Sequence, residues 1–281
     1  MLVYPALMNR GSANVARYAL IGIFAFIMIT PFIWMVSTSL KSPDQVLVYP
    51  PILWPQPVQW TNFRDIWFIA PFGRYLANSA LVAVIVTILE LITASLAAFA
   101  FARLRFRGRD ALFFLYLATL MVPGQVTIVP NFVLMRMFGW LDSYFALIIP
   151  AAFSVSGTFL LRQYFLTIPR ELDQAARIDG CGPFGVYTRI IIPLASPAIA
   201  TMALFAFVGQ WNAFLWPLIV TNSDSMRTVA VGLRFLVDST QVQFHLLMAA
   251  ALLSVLPTVA LFAVLQNAFV RGIAFTGLGG R

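Results

Sequence analysis

The sequence predicts an all-α integral membrane protein with six transmembrane helices. Of its 281 residues, 61% are hydrophobic and 10% are charged, and the mean hydropathy is +0.88. Soluble globular domains carry charge on about a quarter of their residues, so this composition excludes an ordinary soluble fold. The second observation is that the charges divide the chain into six long apolar stretches. Each is close to or above the length of about 20 residues that a helix needs to cross a bilayer.

We expect the six spans at residues 18–40, 75–102, 111–135, 143–161, 197–220 and 245–270. The stretches are continuously apolar instead of alternating, which favours helices over barrel strands. The third span contains Pro123, Gly124 and Pro130, which predict a kinked or broken helix. The alternative for residues 1–40 is a cleaved signal peptide, but they lack a convincing cleavage site. We therefore expect an uncleaved first helix and one transmembrane domain over residues 1–281.

The basic residues predict that both termini are cytoplasmic. With the N terminus inside, the cytoplasmic side holds twelve of the 18 Lys and Arg residues. This excess follows the usual bias of cytoplasmic loops toward positive charge, and membrane topology explains it without a nucleic-acid partner. The outer segment 41–74 contains six prolines and three tryptophans, which predict a rigid, extended stretch near the membrane surface.

The cytoplasmic loop 167–192 has the pattern of a short amphipathic helix. Pro169 suits its first turn, Gly180 suits its C-terminal cap, and Pro183 suits the start of a second helix. We expect Asp173 to pair with Arg177 one turn later. The predicted faces are Leu172, Ala175, Ala176 and Asp179 on one side, and Arg170, Asp173, Gln174 and Arg177 on the other. The pattern alone fits either an interfacial connector or a docking element for a cytoplasmic partner.

Several short motifs resemble those of permease subunits of carbohydrate-type, binding-protein-dependent ABC importers. The loop motif Gln-Ala-Ala-Arg-Ile-Asp-Gly at 174–180, followed by Ile-Ile-Pro-Leu at 191–194, resembles the EAA signature of that family. Further matches are Asn78-Ser79, the segments 98–103, 123–125 and 228–233, Trp211-Asn212 and the segment 269–272. The resemblance covers roughly residues 18–281 and is strongest to the second permease of maltose-type and glycerol-phosphate-type transporters.

The resemblance implies the type I ABC importer permease fold and a set of partners. These are a second permease, two ATPase subunits, an extracytoplasmic solute-binding protein and membrane lipid, in a bacterial or archaeal plasma membrane. It also implies that the ATPase docks on Glu171, Asp173, Gln174, Ala175, Ala176, Asp179 and Gly180. The family usually has Glu where this chain has Gln174, so a neutral amide replaces a charged contact. We expect Asp173 to supply part of that charge.

The chain lacks the residues that enzymatic and metal chemistry require. Its single Lys, Lys41, follows the first span, so no Gly-Lys-Ser/Thr phosphate loop exists. With one His and one Cys, a histidine- and cysteine-based metal site or a hydrolase triad is also excluded. We expect no cofactor on this chain and no enzymatic activity, with ATP and Mg²⁺ bound by the partner ATPase.

Polar residues inside spans are costly and mark a candidate substrate path. Glu90 is the only carboxylate well inside a span, and it could make a structural contact or belong to a solute path. Amides beside indoles suit a sugar, which has hydroxyls on its edges and apolar faces, although the same residues could serve packing. The remaining candidates are Gln125, Asn131, Gln210, Trp211, Asn212 and Trp216.

The outer loop 224–243 is a candidate contact for the solute-binding protein. In the family the corresponding loop reaches into that protein, and Gly232 with the polar residues Asp238 and Gln241 would permit a protruding turn. An ordinary solvated loop is the alternative.

The leading functional hypothesis is a permease that imports a sugar, and we expect a di- or oligosaccharide. Binding of a phosphate ester would require a fixed Arg side chain. The predicted spans contain no Arg or Lys, which favours a neutral sugar over glycerol phosphate as the substrate. A glycerol-phosphate permease is the first alternative. A stand-alone secondary transporter is the second, and Glu90 would be its only candidate for ion coupling.

Overall fold

The computed structural model describes residues 10–238 and 243–278. The protein is 78% helical, and these residues contain no β-strand. The first helices are α1 (Arg10–Ser39), α2 (Pro43–Val46), α3 (Asn62–Ile69), α4 (Phe72–Arg103), α5 (Arg109–Ala118), α6 (Gly124–Met137), α7 (Tyr144–Ile148) and α8 (Val155–Thr167). The others are α9 (Arg170–Ile178), α10 (Pro183–Val186), α11 (Ile192–Leu194), α12 (Ser196–Trp211), α13 (Leu215–Val220), α14 (Val229–Asp238) and α15 (Phe244–Leu278). Two 3₁₀ turns and the π-helical turn Tyr187–Ile191 connect some of them.

Three helical segments are long and apolar enough to cross a membrane as single rods: Arg17–Ser39, Phe72–Arg103 and Phe244–Gln266. Three further segments are pairs of helices bent at a short break, by 94°, 41° and 79°. They are Arg109–Met121 with Gly124–Met137, Tyr144–Ala151 with Val155–Thr167, and Pro183–Leu194 with Ser196–Trp211. By length and composition, residues 10–238 and 243–278 thus contain up to six candidate spans, if each bent pair counts as one.

The break before α6 is explained by the backbone restrictions that proline imposes. Val122 precedes Pro123 and has an extended backbone, because the proline ring clashes with a helical residue before it. The 94° bend lies here, as Pro123 and Gly124 predict. In the stretch 197–220, α12 ends at Trp211 and α13 begins at Leu215, so this stretch is two helices instead of the one rod expected from hydropathy.

The described part of the chain forms two compact units. The first comprises residues 1–70 and 236–253, and the second comprises residues 71–235 and 254–281. In the first unit, Asn62 donates hydrogen bonds to the carbonyls of Ser39 (2.9 Å) and Lys41 (2.8 Å). The expectation that residues 41–74 are extended is wrong in part, since they include the helices α2 and α3.

The core of the second unit surrounds α4, against which α8 and α12 pack. Small residues allow this close approach: Ala94, Ala98 and Ala102 of α4 are buried in a cluster with Leu161 and Phe165 of α8. The opposite stripe of α4 is exposed, with the large apolar side chains Leu81, Val84, Ile85, Ile88, Ile92 and Leu96. The helix therefore has one packed face and one apolar face that the described part of the chain leaves uncovered.

Candidate functional site

Three of the predicted substrate-path residues line one cavity in the second unit. Asn131 of α6, Gln210 of α12 and Trp216 of α13 border a space of about 240 Å³, which we call the polar cavity. The other lining residues are Ser79, Val82, Gly124, Thr127, Ile128, Leu147, Pro150, Ala151, Ala213, Pro217 and Thr228. None of the described lining residues carries a charge.

Polar groups without a partner distinguish this cavity. The side-chain amides of Asn131 and Gln210 are half-buried and make no hydrogen bond within the described residues. The hydroxyl of Thr228 is buried without a partner. Buried polar groups normally have a partner, so unpaired ones in a cavity are available to water or a ligand. Trp216 presents an apolar ring, because its indole N–H already donates to the carbonyl of Ala146 at 2.8 Å.

The other predicted path residues lie elsewhere. Trp211 is buried and donates its indole N–H to the carbonyl of Ser254 at 3.0 Å, which is a structural contact. Gln125 and Asn212 are exposed and do not line the polar cavity. Glu90 is half-buried on the packed stripe of α4, and its carboxylate has no hydrogen-bond partner among the described residues. The sequence reasoning missed Thr228, because its hydroxyl lies in a loop outside the predicted spans.

The amphipathic helix predicted in the cytoplasmic loop is α9, Arg170–Ile178. Gly180 ends it as predicted: it has a φ of +81°, its N–H donates to Arg177, and the N–H of Cys181 donates to Ala176. These two hydrogen bonds form a Schellman cap. The cap requires a left-handed backbone conformation, which glycine adopts most easily.

The predicted faces of α9 are wrong in part. Asp173 and Ala176 are the buried residues of the helix, whereas Leu172, Ala175, Gln174, Arg177 and Asp179 are exposed. Asp173 does not pair with Arg177: its Oδ2 lies 3.5 Å from Nη1 of Arg103, at the end of α4. Asp173 therefore points toward the permease core and cannot supply the charge that Gln174 lacks on the outer face.

The outer face of α9 combines apolar and polar residues. Ile178 is 86% exposed and Phe184, just beyond the helix, is 71% exposed. Glu171, Gln174, Ala175 and Asp179 lie on the same exposed surface of the loop. Exposed large apolar side chains beside charges are typical of a contact surface for another protein.

A second cavity, of about 390 Å³, lies between α9 and the end of α4. Four arginines and one carboxylate line it: Arg103, Arg105, Arg170, Arg177 and Asp173, with Leu104 and Gln174. We call it the basic cavity. Arg103 pairs with Asp173, but Arg105 and Arg177 have no side-chain partner within the described residues. Gln174 thus places a neutral amide beside uncompensated positive charge.

The candidate loop for the solute-binding protein is more ordered than predicted. Gly232 is not part of a turn, since it lies inside α14, where a Cβ atom would be 2.2 Å from Cδ2 of Tyr75. Asp238 ends this helix, and Gln241 lies outside the described residues. The glycine serves close packing of α14 on α4 instead of chain reversal.

The segment that leads into α14 is held by Asp142. This residue has a φ of 55°, and its Oδ1 accepts hydrogen bonds from the N–H groups of Asn222 (2.9 Å) and Ser223 (3.0 Å). Partial burial raises the pKa of Asp142, but these hydrogen bonds outweigh it, so its pKa lies below the ordinary value of 3.8. Nearby, Arg227 pairs with Asp224, whose carboxylate also accepts from the hydroxyl of Tyr75.

Comparison with known proteins places these features in a family. Residues 90–275 match the family model described as "Binding-protein-dependent transport system inner membrane component". The sn-glycerol-3-phosphate transport system permease protein UgpE of Yersinia enterocolitica is 35% identical over 94% of this chain and 97% of its own length. The arabinooligosaccharides transport system permease protein AraQ of Halalkalibacterium halodurans is 32% identical, over 91% of this chain and 93% of its own.

The fold agrees with this relationship. A chain of a bacterial ABC transporter involved in the import of the acidic polysaccharide alginate superposes with a TM-score of 0.84 at 24% identity. The match covers 95% of this chain and all of that chain. The predicted all-α permease fold, the transport function and the multi-pass membrane location are confirmed. The protein belongs to the inner membrane components of binding-protein-dependent ABC transport systems.

Proposed function

We propose that this permease translocates a neutral sugar through a pathway that includes the polar cavity. The observation that carries the proposal is the pair of unpartnered amides, Asn131 and Gln210, beside the ring of Trp216 in a cavity without charged lining residues. Sugar hydroxyls need neutral donors and acceptors, and an amide supplies both. An indole ring supplies an apolar surface for the C–H face of the sugar.

The cavity supports a role for a second permease subunit. Its volume of about 240 Å³ is below the range of roughly 300–1,000 Å³ that is typical of complete small-molecule sites. The uncovered apolar stripe of α4 offers a surface on which a second membrane helix could pack. We infer a pathway between two permeases, each contributing part of its wall, with both termini of this chain cytoplasmic.

The exposed surface of α9 supports docking of a separate ATPase. In this proposal two ATPase subunits bind ATP and Mg²⁺, and this chain binds neither. The residues in contact would be Glu171, Gln174, Ala175, Asp179 and Gly180, with Ile178 as the apolar anchor. An extracytoplasmic solute-binding protein delivers the sugar on the other side.

Glycerol phosphate is the alternative substrate, because permeases for it are among the relatives. A phosphate dianion needs a strong array of cationic donors to replace its hydration. The polar cavity lacks such a group among its described residues, so in that case the second permease would have to supply the cation.

Uptake by the complete transporter in proteoliposomes tests the proposal. With the cognate solute-binding protein and ATP inside, we expect accumulation of a labelled saccharide and no accumulation of glycerol 3-phosphate. Thermal-shift screening of the same binding protein identifies the saccharide to use. Uptake of glycerol 3-phosphate alone would contradict a neutral sugar and leave the transport function intact.

A further inference from the structure

Arg103, the last residue of α4, joins the ends of two helices. Its side chain is 2% exposed, and Nη2 donates to the carbonyls of Phe165 and Ile168, both at 2.7 Å. These carbonyls lie at the C-terminal end of α8. The carbonyl of Phe165 also accepts from the N–H of Ile168 at 3.3 Å, and the carbonyl of Ile168 lies just beyond the helix. One guanidinium therefore satisfies two carbonyls and ties α4 to α8.

The same guanidinium faces α9. Its Nη1 lies 3.5 Å from Oδ2 of Asp173, whose side chain is 11% exposed. One turn further along α9, Ala176 is buried in the apolar cluster that also contains Ala102 and Phe165. The inner face of α9 thus contacts the ends of α4 and α8 through the ion pair and the buried Ala176. Nη2 of Arg170, at the start of α9, also donates to the carbonyl of Ala102 at 3.5 Å.

The pair is poorly suited to a purely stabilising role. Nε and Nη1 of Arg103 and Oδ1 of Asp173 are buried and have no hydrogen-bond partner within the described residues. A buried ion pair with unsatisfied atoms is often no better for stability than apolar residues of the same size. What such a pair does provide is a single orientation, because a charge buried away from its partner is strongly unfavourable.

We propose that Arg103 is a positioning residue that locks α9 to α4 and α8, so that a displacement of α9 moves these two helices with it. The proposal depends on the proposed function, in which an ATPase pushes on the outer face of α9. Guanidinium geometry is essential to it, because only a planar fork reaches two carbonyls and a carboxylate at once. Without the lock, α9 could move while α4 and α8 stay in place.

Measurement of sugar imported per ATP hydrolysed, in the assembled transporter, tests this inference. For Asp173→Asn we expect normal assembly, retained ATP hydrolysis and a ratio at least about threefold below wild type, since about 0.65 kcal/mol of coupling corresponds to that factor. Asp173→Glu, which keeps the carboxylate, should restore the ratio. Arg107→Met is the matched control for loss of a cytoplasmic arginine, because Arg107 is exposed on the next loop and has no partner among the described residues.

The double variant Arg103→Met/Asp173→Leu tests the positioning role of Arg103 if a single variant fails to assemble. It replaces the pair with apolar side chains, so the complex should fold and hydrolyse ATP while its import ratio stays low. A wild-type ratio in the double variant, or in an assembled Asp173→Asn, would overturn the positioning role. A wild-type complex that shows no ATP-dependent import would instead refute the proposed function.

Discussion

Gly232 of α14 and Tyr75 of α4 are so close that no side chain fits between them. A Cβ atom on Gly232 would lie 2.2 Å from Cδ2, 2.6 Å from Cε2 and 2.8 Å from Cγ of the tyrosine ring. The ring is 3% exposed, and its hydroxyl is bound to Asp224 at 3.2 Å, so it has little room to move. The contact fixes α14 on α4 at the end of the outer loop.

Gly232→Ala should therefore destabilise the protein. Overpacking of this kind typically costs about 1–3 kcal/mol, and the thermal unfolding midpoint of the purified protein in detergent measures it. Gly157→Ala is an informative comparison, because its Cβ would meet Cε of Met202 at 2.2 Å, the end of a flexible side chain. We expect a smaller loss of stability for Gly157→Ala. We expect no loss of stability for Gly209→Ala, because there is open space around Gly209. Equal midpoints for wild type and Gly232→Ala would show that α14 does not pack on Tyr75.

Asn131→Ala and Gln210→Ala should each slow sugar uptake. Removal of one hydrogen bond worth about 0.5–1.5 kcal/mol lowers the rate roughly threefold to tenfold, if the bond forms during translocation. Affinity of the solute-binding protein for the sugar should stay unchanged. Gln125→Ala is the matched control, since it removes an exposed amide from the same helix as Asn131. If all three variants transport at the same rate, the polar cavity is not on the pathway.

Gln174→Glu should stabilise the region around the basic cavity. The new carboxylate would lie beside Arg105, Arg170 and Arg177, and an exposed ion pair contributes about 0.2–1 kcal/mol. The gain in unfolding midpoint should disappear at about 1 M salt, where charges are screened within about 3 Å. Gln174→Leu should leave the midpoint almost unchanged but reduce recovery of the complex with the ATPase, because a polar group of the partner would lose its contact. Equal recovery for Gln, Glu and Leu would mean that this position makes no important contact.

Asp142 should make stability depend on acidity. Its pKa is lowered in the folded state, so its contribution is complete above the ordinary pKa of 3.8 and is lost as the pH falls through the lower folded value. Asp142→Ala should lower the unfolding midpoint at pH 7, and its difference from wild type should shrink below about pH 4. Asp142→Asn keeps an oxygen acceptor and tolerates the positive φ, so it should lose less than alanine at pH 7. A constant difference between wild type and alanine from pH 7 to pH 3 would exclude a role for the charge.

Local sequence patterns predicted the parts of this structure that depend on local chemistry. Long apolar stretches identified the helices, Pro123 identified a break, and Gly180 identified a cap, because each acts within a few residues of its own position. Asp173 was assigned to the wrong face because its partner, Arg103, belongs to another helix. The sequence wrongly predicts a turn at Gly232, because glycine suits both a chain reversal and a close helix contact, and only the position of Tyr75 distinguishes the two.

The polar cavity was likewise predictable only where local sequence patterns are informative. Asn131, Gln210 and Trp216 were identified as polar or aromatic residues inside spans, and the fold brings them together. Trp211 and Asn212 belong to the same sequence cluster as Gln210, but the rotation of the helix and its end at Trp211 separate them from the cavity. Thr228 was missed because a hydroxyl in a loop has no distinctive sequence signal.

Three interrupted helices meet at the polar cavity. Gly124 follows the break before α6, and Pro150 and Ala151 precede the break before α8. Ala213 lies in the break between α12 and α13, and Pro217 lies in the first turn of α13. Helix ends expose backbone N–H and C=O groups that a continuous helix would pair internally. Substitution of side chains does not remove the backbone groups at these breaks. New substrate preferences in such a permease should therefore arise more readily by gain, loss or displacement of a proline or glycine at these breaks than by exchange of a single polar side chain.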